Sequence, residues 1–201
     1  LRAMEKVSLT ATILQVVRPQ SLSEIIGQDQ AVEALASRIS SPYPQHLLLY
    51  GPPGVGKTTA ARLVLEEAKK KPYTVFQKDA PFIECDGTTL RWDSRDMTNP
   101  LIGSVHDPLY QGARQELADE GIPEPKPGLV TDAHGGILFI DEIGELDPIL
   151  LNKLLKVLED KRVRFDSAYY DEEDPQIPAY IKQLFEKGAP ADFILIGATT
   201  R

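Results

Sequence analysis

The stretch GPPGVGKT, residues 51–58, decides the fold. It lies between an apolar segment, QHLLLY at 45–50, and a helical pattern, TAARLVLEEAKKK at 59–71. The stretch matches the pattern GxxxxGK[ST] in full, and a strand before it and a helix after it are the context in which this pattern forms a phosphate-binding loop. We therefore predict a strand, a phosphate-binding turn and a helix over residues 45–71.

Each residue type in this loop has a chemical role in binding a phosphate. Glycines let backbone N–H groups turn inward around a phosphate, and the N-terminus of the following helix adds the positive end of its dipole. Lys57 is predicted to place a positive charge on the β and γ phosphates, and Thr58 to offer a hydroxyl ligand to Mg²⁺. The predicted nucleotide-binding residues of the loop are Gly51, Pro52, Pro53, Gly54, Val55, Gly56, Lys57, Thr58 and Thr59.

Polar residues follow two other apolar segments. Asp141 and Glu142 come directly after ILFI at 137–140, and FILIGATTR at 193–201 contains Thr199 and Thr200. A carboxylate at the first position can hold Mg²⁺ through water, and one at the second can orient or deprotonate the attacking water. Ligands of open α/β sheets bind at the carboxyl ends of the strands. Thr200 is thus predicted to reach the γ-phosphate or the water, with Thr199 the weaker candidate.

The rest of the chain alternates strand and helix patterns. Strands are predicted at 46–50, 81–87, 137–142 and 193–201, helices at about 28–40, 57–71 and 147–160, and a hairpin at 162–170. This alternation predicts an α/β fold with a mostly parallel sheet. The glycine-rich and proline-rich stretch at 87–136 is irregular, as functional loops often are. Residues 1–18 are interpreted as a lead-in segment and 19–201 as one α/β domain.

Composition limits the possible partners. The formal net charge of −8 counts against nucleic acid as a partner, because such surfaces are normally basic. The longest apolar runs are far shorter than the roughly 18 residues that cross a bilayer, so we expect no membrane span within these residues. Cys85 is the single cysteine, which fits a reducing compartment, and the cytoplasm is the expected location.

Five segments together resemble the ATPase module of Lon-like ATP-dependent proteases, most of all the B-type, sporulation-associated branch. They are RPQSLSEIIGQDQAVEAL, GPPGVGKT, LIGSVHDPLYQGA, AHGGILFIDEIGELDPILLNKLLKVLED and DFILIGATTR, which spread over 18–201. The resemblance implies a P-loop (AAA+) sheet flanked by helices, with a long pore-loop insertion and an inserted β-hairpin. It also implies ATP or ADP with Mg²⁺ as ligands, and a hexameric ring that pulls protein substrates into a serine-lysine protease.

The resemblance also assigns roles to single residues. Thr200 stands where this family has its first sensor, and Ile25 and Ile26 would lie near the adenine. Leu101 and Ile102 fall where relatives present an aromatic-aliphatic pair to the pore. Because Leu101 replaces the aromatic residue, Tyr110 is the candidate substitute.

Family elements that follow the first sensor strand are expected to lie beyond Arg201. They are a fifth strand beside the phosphate-loop strand, an arginine finger, a second sensor arginine, a helical lid and the protease domain. We expect the phosphate-loop strand to lie at an open edge, and the isolated chain to have no peptidase activity. The isolated chain is also expected to bind nucleotide weakly, if at all, and to turn it over very slowly, because an arginine finger is worth about a thousandfold or more where one has been measured. A membrane tether before Leu1 stays open.

The sequence also fits three alternative functions. AHGGILFIDEIGEL resembles transcription activators that bind enhancers, although their pore motif GAFTGA is replaced here by VHDPLYQGA. GATTR at 197–201 also occurs in motors that act on Holliday junctions. The third alternative is a binding module in which the nucleotide governs assembly without turnover, and the intact pair of Asp141 and Glu142 counts against it.

Overall fold

A four-stranded parallel sheet lies at the centre of the computed structural model, which describes residues 19–90, 99–106 and 122–200. In chain order the strands are β1 (Leu47–Tyr50), β2 (Phe82–Asp86), β3 (Gly103–His106), β4 (Glu124–Pro127), β5 (Ile137–Asp141), β6 (Arg162–Val163), β7 (Ala189–Pro190) and β8 (Ile194–Thr199). The α-helices are α1 (Asp29–Ile39), α2 (Lys57–Ala68), α3 (Leu129–Asp132), α4 (Pro148–Asp160) and α5 (Ala179–Lys187). Short 3₁₀ helices span Leu22–Glu24 and Ile143–Glu145.

The order of the central sheet is β1-β8-β5-β2, and all of its pairings are parallel. Strand β5 is apolar and fully buried from Ile137 to Ile140, as expected for a strand whose two faces are both covered. Ile137 and Phe139 pack into the core with α1 and α2, whereas Leu138 and Ile140 pack with α4. Successive side chains of a strand point to opposite faces, so this sheet separates two apolar layers.

The helices agree closely with their predicted bounds. Helix α4 begins as predicted, because the Asp147 carboxylate accepts a hydrogen bond of 2.8 Å from the Ile149 N–H and Pro148 occupies the first position. The first helix covers 29–39, against a prediction of about 28–40. Helix α2 ends at Ala68, three residues before its predicted end. Pro72 disfavours helical backbone at Lys71, so the helix ends before that residue.

The stretch predicted as irregular contains regular structure. Strand β3 pairs with β4 in antiparallel fashion, from Gly103 opposite Pro127 to His106 opposite Glu124. Two of the four residues of β4 are prolines, which lack the N–H needed for full strand pairing, so its sequence does not predict a strand.

The hairpin predicted within 162–170 is wrong. Strand β6 pairs instead with β7, which follows α5, and residues 164–170 form no strand. Tyr170 stacks on Phe185 of α5 with ring centroids 4.1 Å apart, so this segment packs against a helix rather than against a returning strand.

Strand β1 lies at an edge of the sheet as it is described, as expected, because β8 is its single partner there. Its Leu48 and Tyr50 side chains are 64% and 74% exposed.

In the described residues, no helix combines the length and the apolar character required to cross a bilayer.

Candidate nucleotide-binding site

The loop 51–56 leaves the end of β1 and enters α2 at the carboxyl edge of the sheet. Its Gly51 N–H donates a hydrogen bond of 3.2 Å to the carbonyl of Thr199 at the end of β8. Gly54 and Gly56 have φ angles of 78° and 87°, a conformation that strongly favours glycine. These glycines therefore shape the turn that the sequence motif predicts.

Lys57 is held against its own loop. The Nζ atom donates to the Gly51 carbonyl at 2.7 Å and to the Pro52 carbonyl at 3.0 Å. The ammonium therefore lies within the loop, where a phosphate bound by the backbone N–H groups would meet its charge.

A cavity of about 300 Å³ joins this loop to the acidic pair; we call it the phosphate-side cavity. Its lining residues are Pro53, Gly54, Gly56, Lys57, Thr58, Thr59, Glu84, Asp141 and Glu142. The structure thus brings together the loop, Asp141 and Glu142, as predicted. It adds Glu84, which the sequence analysis missed because Glu84 lies in the middle of a strand and reaches the site only through the pairing of β2 with β5.

Glu142 has an unusual backbone conformation. Its φ of 46° and ψ of 49° lie in the left-handed region, which costs a residue other than glycine about 1 kcal/mol. Its Oε2 atom accepts hydrogen bonds from the N–H and the hydroxyl of Thr200, both at 3.2 Å. The predicted sensor and the predicted general base are therefore in direct contact, whereas Thr199 is buried at the end of β8.

Gly87 makes this arrangement possible. Its N–H donates to the Asp141 carbonyl at 2.8 Å, and a Cβ at position 87 would lie 2.6 Å from the Glu142 carbonyl oxygen. A larger residue at this position would push the backbone of the acidic pair away.

The electrostatics at the end of β2 favour an ionised carboxylate. Asp86, opposite Asp141 in the sheet, accepts from the hydroxyl of Thr88 at 2.7 Å and from its N–H at 2.8 Å. These two hydrogen bonds lower the pKa of Asp86.

In contrast, burial raises the pKa of the neighbouring Cys85 thiol to about 12, so this cysteine is a packing residue and not a nucleophile.

The phosphate-side cavity has the donor chemistry that Mg²⁺ requires. Thr58 contributes a hydroxyl oxygen, and Asp141 contributes carboxylate oxygens. In the described part of the chain, no group of three or more His, Cys, Asp or Glu side chains could hold a metal ion. Mg²⁺ is commonly bound by one or two carboxylates together with phosphates and waters, so these residues fit the ion.

A second cavity, of about 390 Å³, lies on the other side of the loop, between α1 and β1. Its walls are mostly apolar, and Ile25, Val32, Leu35 and Val55 are among its lining residues. Ile26, which was expected beside Ile25, is 92% exposed and does not line this cavity. The expectation is wrong for Ile26, which faces solvent, whereas Ile25 is buried in the core with α1 and α2.

The pore prediction is wrong for Leu101, which is fully buried in the core with Val130 and Leu138. The Asn99 side chain accepts hydrogen bonds from the N–H groups of Leu101 and Ile102, a local turn that directs Leu101 inward. Ile102 is half-buried and packs against the same core. Tyr110, the third predicted pore residue, lies outside the described residues.

Comparison with known sequences finds a matching family model and similar proteins. The family model described as magnesium chelatase, subunit ChlI, matches residues 21–179. Lon protease 2 of Bacillus subtilis is 58% identical over 201 residues, which cover all of this chain and 36% of that protein. The Holliday junction branch migration complex subunit RuvB of Mycoplasma pneumoniae is 43% identical over 156 residues, 75% of this chain and 38% of that protein. The chain thus spans less than two fifths of the length of these relatives.

Solved structures share the fold. NtrX from Brucella abortus in complex with ADP has a TM-score of 0.52 and 19% identity, covering 100% of this chain and 32% of that one. A single-residue variant of RuvB from Thermotoga maritima has a TM-score of 0.50 and 23% identity, covering 93% and 43%. These likenesses confirm the predicted α/β fold with a central parallel sheet.

Proposed function

The chain belongs to the AAA+ ATPase family described as magnesium chelatase, subunit ChlI, and we propose that it drives protein unfolding for a Lon-type protease. The ATPase part rests on the phosphate-side cavity, where the loop, Asp141 and Glu142 meet and Thr200 contacts Glu142. The protease part rests on the 58% identity to Lon protease 2, which extends over the whole chain.

In this proposal the loop binds ATP or ADP. Its backbone N–H groups cradle the phosphates, Lys57 neutralises their charge, and Ile25 lies in the apolar wall that would receive the adenine. Thr58 and Asp141 would hold Mg²⁺, which when bound neutralises charge on the β and γ phosphates.

Glu142 is the proposed general base. It takes a proton from the attacking water, and Thr200 holds its carboxylate in place through the two hydrogen bonds to Oε2. Thr200 thus links the end of β8 to the residue that acts on the water.

We propose that hydrolysis moves a polypeptide, with the chain assembled into a hexameric ring in the cytoplasm. Protein substrates are favoured over nucleic acid because the net charge is −8. The family resemblance assigns contact with the polypeptide in the pore to Tyr110.

Nucleotide binding is tested by calorimetry with ADP and Mg²⁺ on the 201-residue chain. The Lys57→Ala variant should lose detectable binding, because the loop then lacks its positive charge. The control is Lys70→Ala, which removes an equal charge from an exposed pair with Glu67. If Lys57→Ala binds as tightly as the wild type, the site is placed wrongly.

The kind of substrate on which the ATPase acts, its client, is tested by determining the coding sequence that flanks residues 1–201. A helical lid and a serine-lysine protease domain after residue 201 would support the proposal. The Glu142→Gln variant of that longer protein should then degrade no folded substrate while still cleaving short peptides. A DNA-binding domain in that place, as the RuvB likeness would favour, would keep the ATP site and overturn the assigned client.

A further inference from the structure

A third carboxylate, that of Glu84, lines the phosphate-side cavity beside Asp141 and Glu142. Its counter-ion is Arg62 on α2, whose NH2 atom lies 2.8 Å from the Glu84 Oε2 atom. Both side chains are less than half exposed, at 41% and 43%. Neither residue belongs to the loop motif or to the acidic pair.

The position of Arg62 is set by two contacts and by its place in the helix. It follows Thr58 by four residues and therefore lies on the same face of α2, one turn further from the loop. Its guanidinium carbon lies 4.5 Å from the centre of the Phe82 ring, and Phe82 stacks on Phe139 of β5 with ring centroids 5.9 Å apart. The aromatic pair thus fixes the charge of Arg62 beside Glu84.

The cavity would be strongly negative without this pairing. Its lining contains three carboxylates and one ammonium, that of Lys57, and a nucleotide adds further negative charge on its phosphates. Arg62 is not itself a lining residue, so Glu84 stands between Arg62 and the cavity. A carboxylate without a counter-ion at this place would repel the phosphates.

We propose that Arg62 and Glu84 are a charge-balanced pair of positioning residues that sets the affinity of the site for nucleotide phosphates. Arg62 acts through Glu84: it cancels the charge of that carboxylate, so that Asp141, Glu142 and Lys57 supply the charges that remain in the cavity lining. This inference rests on the proposed nucleotide site. It assigns part of the affinity of that site for nucleotide to Arg62, which lies outside the loop motif.

The test measures the Kd for ADP by calorimetry at low salt, with and without Mg²⁺. Arg62→Met should weaken binding about fivefold, as expected for one charge at a partly exposed site, and Glu84→Gln should tighten it by about the same factor. The double variant, which again balances the charges, should return to within about twofold of the wild type. Arg62→Lys should stay near the wild type, and the differences should shrink in about 1 M salt.

Lys70→Met is the matched control, because it removes an equal charge from an exposed pair near the far end of α2 and should leave the Kd unchanged. An unchanged Kd in Arg62→Met overturns the inference. So does a double variant as weak as Arg62→Met, because Arg62 would then act by packing on Phe82 and not through Glu84. If Arg62→Met does not fold, as judged by circular dichroism, the Kd of Glu84→Gln for ADP alone decides whether the inference holds. Absence of ADP binding both in the wild-type chain and in the longer protein with its flanking sequence would instead overturn the proposed function.

Discussion

At the scale of single residues, the site depends on a strained glutamate. Glu142 adopts a left-handed conformation, and its surroundings hold it there: Thr200 binds its carboxylate, and Gly87 leaves room for its carbonyl. Strain of this kind persists only when neighbouring groups hold it, and it is concentrated at functional sites. The carboxylate is thus held in its orientation by groups of the protein itself.

Thr200→Val tests the contact between sensor and base. The variant keeps the shape of the side chain and loses the hydroxyl that donates to Glu142. Because one hydrogen bond to a charged group is lost, single-turnover ATP hydrolysis should slow about tenfold, while the Kd for ADP should change less than about twofold. Thr74→Val is the control, since Thr74 caps a turn far from the cavity. An equal loss of affinity and rate would assign Thr200 to binding instead.

Gly87→Ala tests the close approach of the Gly87 backbone to the Glu142 backbone. The added Cβ would lie 2.6 Å from the Glu142 carbonyl oxygen, so the free energy of unfolding should fall by about 1–3 kcal/mol in urea denaturation. Gly144→Ala is the matched control: its Cβ would be 3.5 Å from the Thr199 hydroxyl, an ordinary contact, and the change should be below about 1 kcal/mol. Equal effects of the two substitutions would contradict the geometry.

At the scale of elements, α4 covers one face of the sheet and begins one short turn after the acidic pair. Its buried residues, Leu150, Leu154 and Val157, are spaced by four and three residues and therefore share one face. Asp147 caps the start of the helix at 2.8 Å. The helix thereby stabilises the sheet under Glu142 without entering the cavity.

A pair of adjacent leucines tests which face of α4 carries the packing. Leu154 is fully buried and Leu155 is 53% exposed. Leu154→Ala should lower the free energy of unfolding by about 2–5 kcal/mol, because it leaves a cavity in the core. Leu155→Ala should cost below about 1 kcal/mol in the same urea denaturation. Similar losses of unfolding free energy for both variants would mean that Leu154 does not face the core and that α4 is rotated about its axis.

At the scale of the whole molecule, the order of the sheet assembles the site. Strands β1 and β5 lie on either side of β8, so the loop, the acidic pair and Thr200 come together at one edge although they are far apart in sequence. The same order leaves β1 with β8 as its single partner in the described sheet, with Leu48 and Tyr50 exposed. An exposed apolar edge strand is a site for pairing with another chain.

Leu48→Lys tests this edge. We expect the 201-residue chain to associate more as its concentration rises, in sedimentation velocity, and the added charge on β1 to reduce that association. Leu155→Lys, at an exposed helix position, is the control and should leave the association unchanged. If both variants behave like the wild type, association does not involve β1.

Much of this protein could be predicted from its sequence, because the relevant signals are local. The loop, the acidic pair at 141–142 and the cap at Asp147 follow from patterns within a few adjacent residues, and the parallel sheet follows from the order of strand and helix patterns along the chain. Thr200 was also predicted from its place at the end of a strand, and its contact with Glu142 agrees with that placement.

Only the tertiary structure decided the features that depend on residues far apart in the chain. Glu84 reaches the cavity because β2 pairs with β5, and β6 pairs with a strand that follows α5 rather than with its own neighbour. Leu101 is buried because a turn at Asn99 directs it inward, although its motif resembles an exposed loop. The physical reason is that strand order and burial arise from packing over the whole chain, whereas motifs and periodicity record only local preferences.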